Sequence, residues 1–167
     1  RVITCAFMWA GPVHTRLLAD LGAEVIKIEH HQVRGAGGKA DGRLAPTWMA
    51  SYPDGDPGEN PWNRSGSRNQ LYRGKLSLVL DLNSAKGKQI FLDLVKVSDV
   101  VQDNYSTRAM PGFGLDYPVI KKANPRIIMI RQPGFGLIGP YKNYTAGGCP
   151  TETHGGFAYH MGYHGEQ

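Results

Sequence analysis

Cysteine is nearly absent. Cys5 and Cys149 are the two in 167 residues, which excludes a disulfide framework, and neither has a neighbouring base that would mark it as a nucleophile. Long apolar runs are missing too: no stretch approaches the ~18 residues that a membrane-spanning helix needs. Nothing in the first residues reads as a secretory leader. A reducing, cytoplasmic compartment is the expectation. Strong charge of one sign is also lacking. Lys and Arg number 19 against 14 Asp and Glu, a net +5, and the basic residues Arg64, Arg68, Lys86, Lys88, Lys121 and Lys122 are scattered rather than striped with aromatics. That pattern argues against nucleic acid as a partner and leaves an anionic small molecule open.

Glycine and proline, by contrast, are plentiful, at 22 and 11 residues, and they concentrate in residues 35–66 and 111–165. The composition is otherwise that of a soluble globular protein, with 41% hydrophobic and 20% charged residues. A compact framework carrying long functional loops is expected, in one domain over residues 1–167. The sequence starts without Met and stops inside a Gly/His-rich stretch, so a partial chain is expected.

The first 29 residues predict a complete strand–helix–strand unit. Val2 to Cys5 reads as a buried strand. Val13, Leu17, Leu18 and Leu21 recur on one face of a helix, with Pro12 in its first turn and Gly22 as its left-handed stop. Val25 to Ile28 gives a second strand, and such a unit makes a right-handed crossover in a parallel sheet. Residues 32–68 show no period apart from an apolar patch at Trp48, Met49 and Ala50, and read as a lid-like or partner-covered loop. Order is expected to return at Asn69. A strand over 76–82, a helix over 85–97 capped at Asn83-Ser84, a strand over 100–102, a helix near 117–123 and a strand over 127–130 follow. The alternation predicts an α/β, Rossmann-like, doubly wound and mainly parallel sheet, with ligand beyond the carboxyl ends of its strands. Those ends fall at residues 6–11, 29–31, 103–106 and 131–136.

Several motifs carry competing readings. Gly134-Phe-Gly136-Leu-Ile-Gly139 has the G-x-G-x-x-G spacing after a strand, but Pro140 follows where a pyrophosphate-binding helix should begin. A tight loop is the better reading, and an NAD-binding oxidoreductase fragment the alternative. Arg73-Gly74-Lys75 could bring two cations and an unobstructed backbone to a phosphate, or be a solvated strand entry. His154, His160 and His164 lack an acidic or cysteine partner at ligand spacing, so they read as surface histidines and no metal is expected. The Pro-Gly-Phe-Gly-Leu pentapeptide at 111–115 and 133–137 has unlike flanks and reads as coincidence.

The ordered blocks Ala10-Gly11-Pro12, Leu18 to Glu29, Arg73-Gly74-Lys75 with Leu78 to Leu82, Asp103-Asn104-Tyr105, Asn124-Pro125-Arg126, and Gly134-Phe135-Gly136 with Gly139-Pro140-Tyr141 together resemble the class III (family III) CoA-transferases. That family includes formyl-CoA, carnitine and bile-acid CoA-transferases and α-methylacyl-CoA racemase. The resemblance runs from the first residue to about His164. It implies the N-terminal portion of a Rossmann-like CoA-binding domain, in a family whose complete chains are considerably longer and form interlocked homodimers. It further implies CoA or acyl-CoA and carboxylates as the small-molecule substrates, exchanged through an acyl-aspartyl intermediate, with no nucleic acid and no membrane partner.

By this resemblance Met8, Trp9 and Ala10 line the CoA site. His30 stands where relatives place an Arg that holds the CoA nucleotide. Tyr72, Arg73 and Lys75 match the basic segment before the third strand. Asn104 and Tyr105 match the pair whose aromatic ring lies by the cofactor, and Phe135 lies near the thioester. No catalytic residue is assigned: the transferase Asp is expected beyond Gln167, a racemase His-Asp pair is missing near Gly147-Gly148-Cys149, and Asp103 and Glu152 have no supporting spacing. Little turnover by this chain alone is therefore expected, along with exposed apolar surface and assembly into dimers. A stand-alone CoA or nucleotide-binding module is the further alternative.

Overall fold

The computed structural model describes residues 1–30, 52–59 and 61–162. Five strands, β1 (Val2–Thr4), β2 (Val25–Glu29), β3 (Lys75–Val79), β4 (Val100–Asp103) and β5 (Ile128–Arg131), form one all-parallel sheet in the order β3-β2-β1-β4-β5. Val2 is opposite Val25 on one side and Val100 on the other. The strand order turns back between β1 and β4, so connections leave these neighbours in opposite directions and open a crevice above their carboxyl ends.

Local chemistry explains most elements. Helix α1 (Ala10–Asp20) crosses from β1 to β2 and stops at Gly22, whose φ of +94° only glycine adopts without strain. Two short helices precede β3, α2 (Pro61–Arg64) and α3 (Gly66–Tyr72). The Ser65 hydroxyl caps α3 by accepting from the Arg68 backbone N–H at 3.3 Å. Helix α4 (Ala85–Lys96) is capped the same way by Ser84 on the Gly87 N–H at 3.0 Å. It presses Phe91 and Val95, both fully buried, against Ile3, Val101, Met110, Leu115 and Ile120. These side chains come from β1, β4, α5 (Ala109–Gly112), α6 (Tyr117–Ala123) and the loop between the last two, and their burial is the main source of stability. Asn124 ties the layers together, its Nδ2 donating to the carbonyls of Val95 and Ser98 at 3.0 and 2.8 Å.

Four expectations need correction. The Leu17–Leu18–Leu21 face of α1 is not core: these leucines are 50%, 37% and 85% exposed, and α1 instead buries Gly11, Pro12 and Thr15. The reason is Gly11. A Cβ there would lie 2.2 Å from Ala6 Cβ and 2.6 Å from Gln102 Nε2, so the helix is seated on the sheet by its smallest residue and its leucines are rotated outward. Helical order also returns before Asn69, as a 3-10 turn over Pro53–Gly55 and then from Pro61. Strand β3 ends at Val79 rather than Leu82. Leu80 and Leu82 are buried in the turn that leads into α4. Finally, the glycine-rich C-terminal stretch forms α7 (Gly148–His154) and α8 (Phe157–His160), separated by Gly156 at φ +75°. Most of the expected 32–68 loop, the Trp48–Met49–Ala50 patch, His31 and His164 lie outside the described residues.

Gly11→Ala places a methyl group inside two van der Waals envelopes. Urea unfolding should show a loss of about 1–3 kcal/mol. A stability equal to or above wild type would contradict the seating of α1 on Ala6.

Candidate ligand crevice at the turn-back of the sheet

The loop after β1 and the loop after β4 are clamped together by a single side chain. Asn104 Oδ1 accepts from the Phe7 backbone N–H at 2.9 Å while its Nδ2 donates to the Phe7 carbonyl at 2.6 Å. The Tyr105 ring packs on Phe7 at 5.8 Å and edge-on to Phe113 at 6.3 Å between centroids. Burial pushes its hydroxyl well above the ordinary phenol range. Asn104 and Tyr105 therefore shape the crevice wall. Above the clamp, Met8 holds a left-handed backbone at φ +60°, a strained conformation for a side-chain-bearing residue. Trp9 is 55% exposed, and Ala10 opens α1 on the surface.

Asp103 is fully buried beneath this loop. Its carboxylate accepts from Arg131 Nε at 3.1 Å and from the Tyr105 N–H at 3.1 Å, while Arg131 Nη2 reaches the carbonyls of Ser106 and Thr107. Burial raises its pKa and Arg131 opposes the rise. This carboxylate braces the 105–107 turn. The Cys5 thiol, fully buried, is pushed up to about 12 and is chemically inert.

On the β2–β3 side lies a cluster of cations around one ring. Lys27 Nζ, Lys75 Nζ and the Arg68 guanidinium stand 5.0, 5.3 and 5.4 Å from the Tyr72 ring centroid. Lys75 spans from the start of β3 to α1, donating to the Pro12 carbonyl and Thr15 Oγ1, both at 2.8 Å. Arg68 pairs with Glu29 at 2.5 Å, and Ser77 also donates to Glu29. Among the described residues neither Lys27 nor Lys75 makes a salt bridge, although Glu29 acts on Lys27 at longer range. Arg16 Nε and the Tyr72 hydroxyl are buried without a hydrogen-bond partner; the Met8 amide lies near that hydroxyl, outside bonding geometry. Burial, followed by repulsion from Lys27 and Arg16, lowers Lys75 to about 8, while burial raises Tyr72 to about 12.

The sequence-derived positions are thus divided. Met8, Trp9, Ala10, Asn104 and Tyr105 converge at the crevice, and Tyr72 and Lys75 join the cation cluster beside α1. Arg73 turns away, ion-paired with Asp20 at 2.8 Å near the C-terminus of α1. His30 is half-buried at the end of β2, with Nε2 3.7 Å from Asp81 Oδ1. Phe135 packs in an aromatic cluster with Tyr141, Tyr144 and His154, at 6.4, 6.2 and 5.0 Å. Gly136 and Gly139 take φ of +77° and +90° in successive turns, and the next helix begins only at Gly148. The loop therefore lacks the helix N-terminus of a dinucleotide motif. Among the described residues no group of three or more His, Cys, Asp or Glu could hold a metal. No helix among them is long and apolar enough to cross a membrane.

Sequence reasoning missed a buried polar row: Thr4, Gln102 and Gln132 side chains joined at 2.6 and 2.7 Å, reaching His14 at 3.2 Å. A glutamine at the end of an apolar strand, in Val100-Val101-Gln102, was the available signal.

A five-stranded parallel sheet with flanking helices that turns back above clamped loops defines an α/β protein. Comparison with known proteins narrows it: the model of CoA-transferase family III matches residues 1–167, and the chain belongs to that family. It is 38% identical to an acyl-CoA transferase of Fusarium pseudograminearum over 89% of this chain and 30% of that protein. Identity is 35% to the succinate–glutarate CoA-transferase of Agrobacterium fabrum, over 86% of this chain and 34% of that one. It is 30% to the alpha subunit of the succinyl-CoA–L-malate CoA-transferase of Chloroflexus aurantiacus, over 99% and 35%. The chain spans about a third of the length of these relatives. Among solved structures, a CAIB/BAIF family protein from Brucella suis superposes with a TM-score of 0.67 at 28% identity, over 93% of this chain and 38% of its own. A hypothetical protein from Mycobacterium tuberculosis, 24% identical, shares the fold with a TM-score of 0.73 over 99% and 42%.

Because the native Lys75 loses its proton near pH 8 and the unfolded one near 10.5, the unfolded chain holds more protons across that window. Stability contributed at this site rises with pH there. Urea midpoints of wild type and Lys75→Met, measured from pH 7 to 10.5, should therefore diverge in favour of wild type as pH rises. A wild-type minus variant difference that stays constant or falls as pH rises would contradict the lowered pKa.

Proposed function

We propose that this chain is the CoA-binding portion of a class III CoA-transferase, one that moves CoA between carboxylic acids. The observation that carries the reading is the charge imbalance around Tyr72. Lys27, Lys75 and Arg68 crowd the ring, Glu29 is shared between its ion pair with Arg68 and a longer-range attraction to Lys27, and neither lysine makes a salt bridge among the described residues. Leaving cations half-desolvated is costly unless an anion arrives, and the phosphates of CoA are such an anion. In this reading the nucleotide end lies by α1, β2 and β3, near His30, and the pantetheine arm crosses the β1–β4 crevice beside Met8, Trp9 and Ala10. The thioester then lies towards Phe135.

The chemistry would be covalent: an aspartate carboxylate attacks the thioester carbonyl and expels the CoA thiolate, leaving an acyl-aspartyl anhydride. The thiolate returns at the aspartyl carbonyl and expels the donor carboxylate. The acceptor carboxylate then displaces the thiolate from the aspartyl thioester, and the thiolate attacks the acceptor's acyl carbon to give the new acyl-CoA and free the aspartate. No residue of this sequence is assigned as that nucleophile, since Asp103 is buried against Arg131 and accepts from it. The proposed role of these residues is binding and orientation of the thioester, in a cytoplasmic homodimer. The exposed apolar side chains support the assembly: Leu17, Leu21, Leu76, Val79 and Ile128 are each at least 50% exposed along α1 and the two sheet edges. Such surface is normally covered by another protein element.

Isothermal calorimetry should detect CoA binding in low salt, weakened at least severalfold by Lys75→Met. A folded protein that binds no CoA at millimolar ligand would refute the proposal. Multi-angle light scattering should give a dimer or larger species, and a clean monomer would overturn the assembly.

A further inference from the structure

The polar row at the turn-back of the sheet runs in one direction in this structure. The Ala6 backbone N–H donates to Thr4 Oγ1 at 3.2 Å, so that oxygen accepts. The hydroxyl proton then goes to Gln102 Oε1 at 2.6 Å. Gln102 is thereby left to donate through Nε2 to Gln132 Oε1 at 2.7 Å. What Gln132 presents to His14 Nδ1, at 3.2 Å, is its NH2 group. An amide nitrogen only donates, so this contact selects the tautomer in which Nδ1 accepts and the ring proton is on Nε2. Thr4 and Gln102 are 1% and 2% exposed, which shields the inner end of the relay from competing water. His14 itself is exposed, on the second turn of α1 at the crevice end of the sheet, and its Nε2 has no partner among the described residues.

We propose that His14 is a substrate-positioning residue: a neutral Nε2–H donor, oriented by Thr4, Gln102 and Gln132, that takes a carbonyl oxygen of the acyl-pantetheine arm. A neutral donor suits an uncharged amide or thioester carbonyl, whereas the cations around Tyr72 suit phosphate. The inference rests on the CoA reading for its ligand, but not for the state of the ring.

Two measurements test the halves separately. Nitrogen-15 NMR of the imidazole at neutral pH should show His14 protonated at Nε2 alone. Gln132→Glu keeps the shape and the acceptor for Gln102 but turns the donor towards His14 into an acceptor, so it should move a proton onto Nδ1. Protonation at Nδ1 in wild type, or no change in Gln132→Glu, would overturn the relay. For the ligand, calorimetry with acetyl-CoA and with adenosine 3′,5′-bisphosphate, which lacks the arm, compares wild type with His14→Phe. Acetyl-CoA binding should weaken by about three- to tenfold, the loss of one hydrogen bond, with the bisphosphate unaffected. Equal acetyl-CoA affinity, or equal loss for both probes, would refute His14 as a contact to the arm. A wild type that binds neither probe would refute the CoA reading and the arm contact, while the NMR result still decides the relay.

Discussion

The seating of Gly11 on Ala6 and Gln102 is the constraint on which the rest depends. With no Cβ at position 11, α1 settles directly on β1 and β4 and brings its N-terminal turns over the place where the sheet turns back. That height lets Lys75 reach Pro12 and Thr15, and it holds His14 within reach of Gln132. The clamp between Asn104 and Phe7 closes the same junction from the loop side. A bulkier residue would lift the helix and loosen all of these contacts together.

The same seating has an electrostatic consequence. Lys75 is drawn from solvent into a layer that already holds Lys27 and Arg16, and its pKa drops to about 8 in response. The fold tolerates this because the Tyr72 ring face and the α1 carbonyl share the charge. Glu29 is committed to Arg68.

Much of this was legible in the sequence, for physical reasons that differ by element. Helix α4 was readable because Ile90, Phe91, Leu94 and Val95 recur at the helical spacing behind a Ser84 cap; Phe91 and Val95 take the core, while Ile90 at the margin of that face is exposed. Helix α1 was readable as a helix but not in its orientation, because hydrophobic periodicity cannot distinguish a core face from one left exposed. Its leucines obeyed the period while glycine and threonine took the buried side. The α2–α3 pair was hidden by brevity and by Gly66 and Pro61, although Ser65 offered the cap. The polar row was illegible in one dimension. Thr4 and Gln102 meet only because the parallel register sets them opposite each other. Arg73 and Lys75 look equivalent in sequence, yet Gly74 at φ +72° lies against Ala19 and sends them to different partners.

The central claim is that CoA occupies the crevice between the β1 and β4 loops, with its phosphates beside the Tyr72 cluster. Amide hydrogen exchange with and without saturating CoA tests it most directly. The account predicts new protection at residues 7–12 and 104–107 and around 72–75. Protection confined to residues 134–144, or none anywhere at saturation, would contradict it.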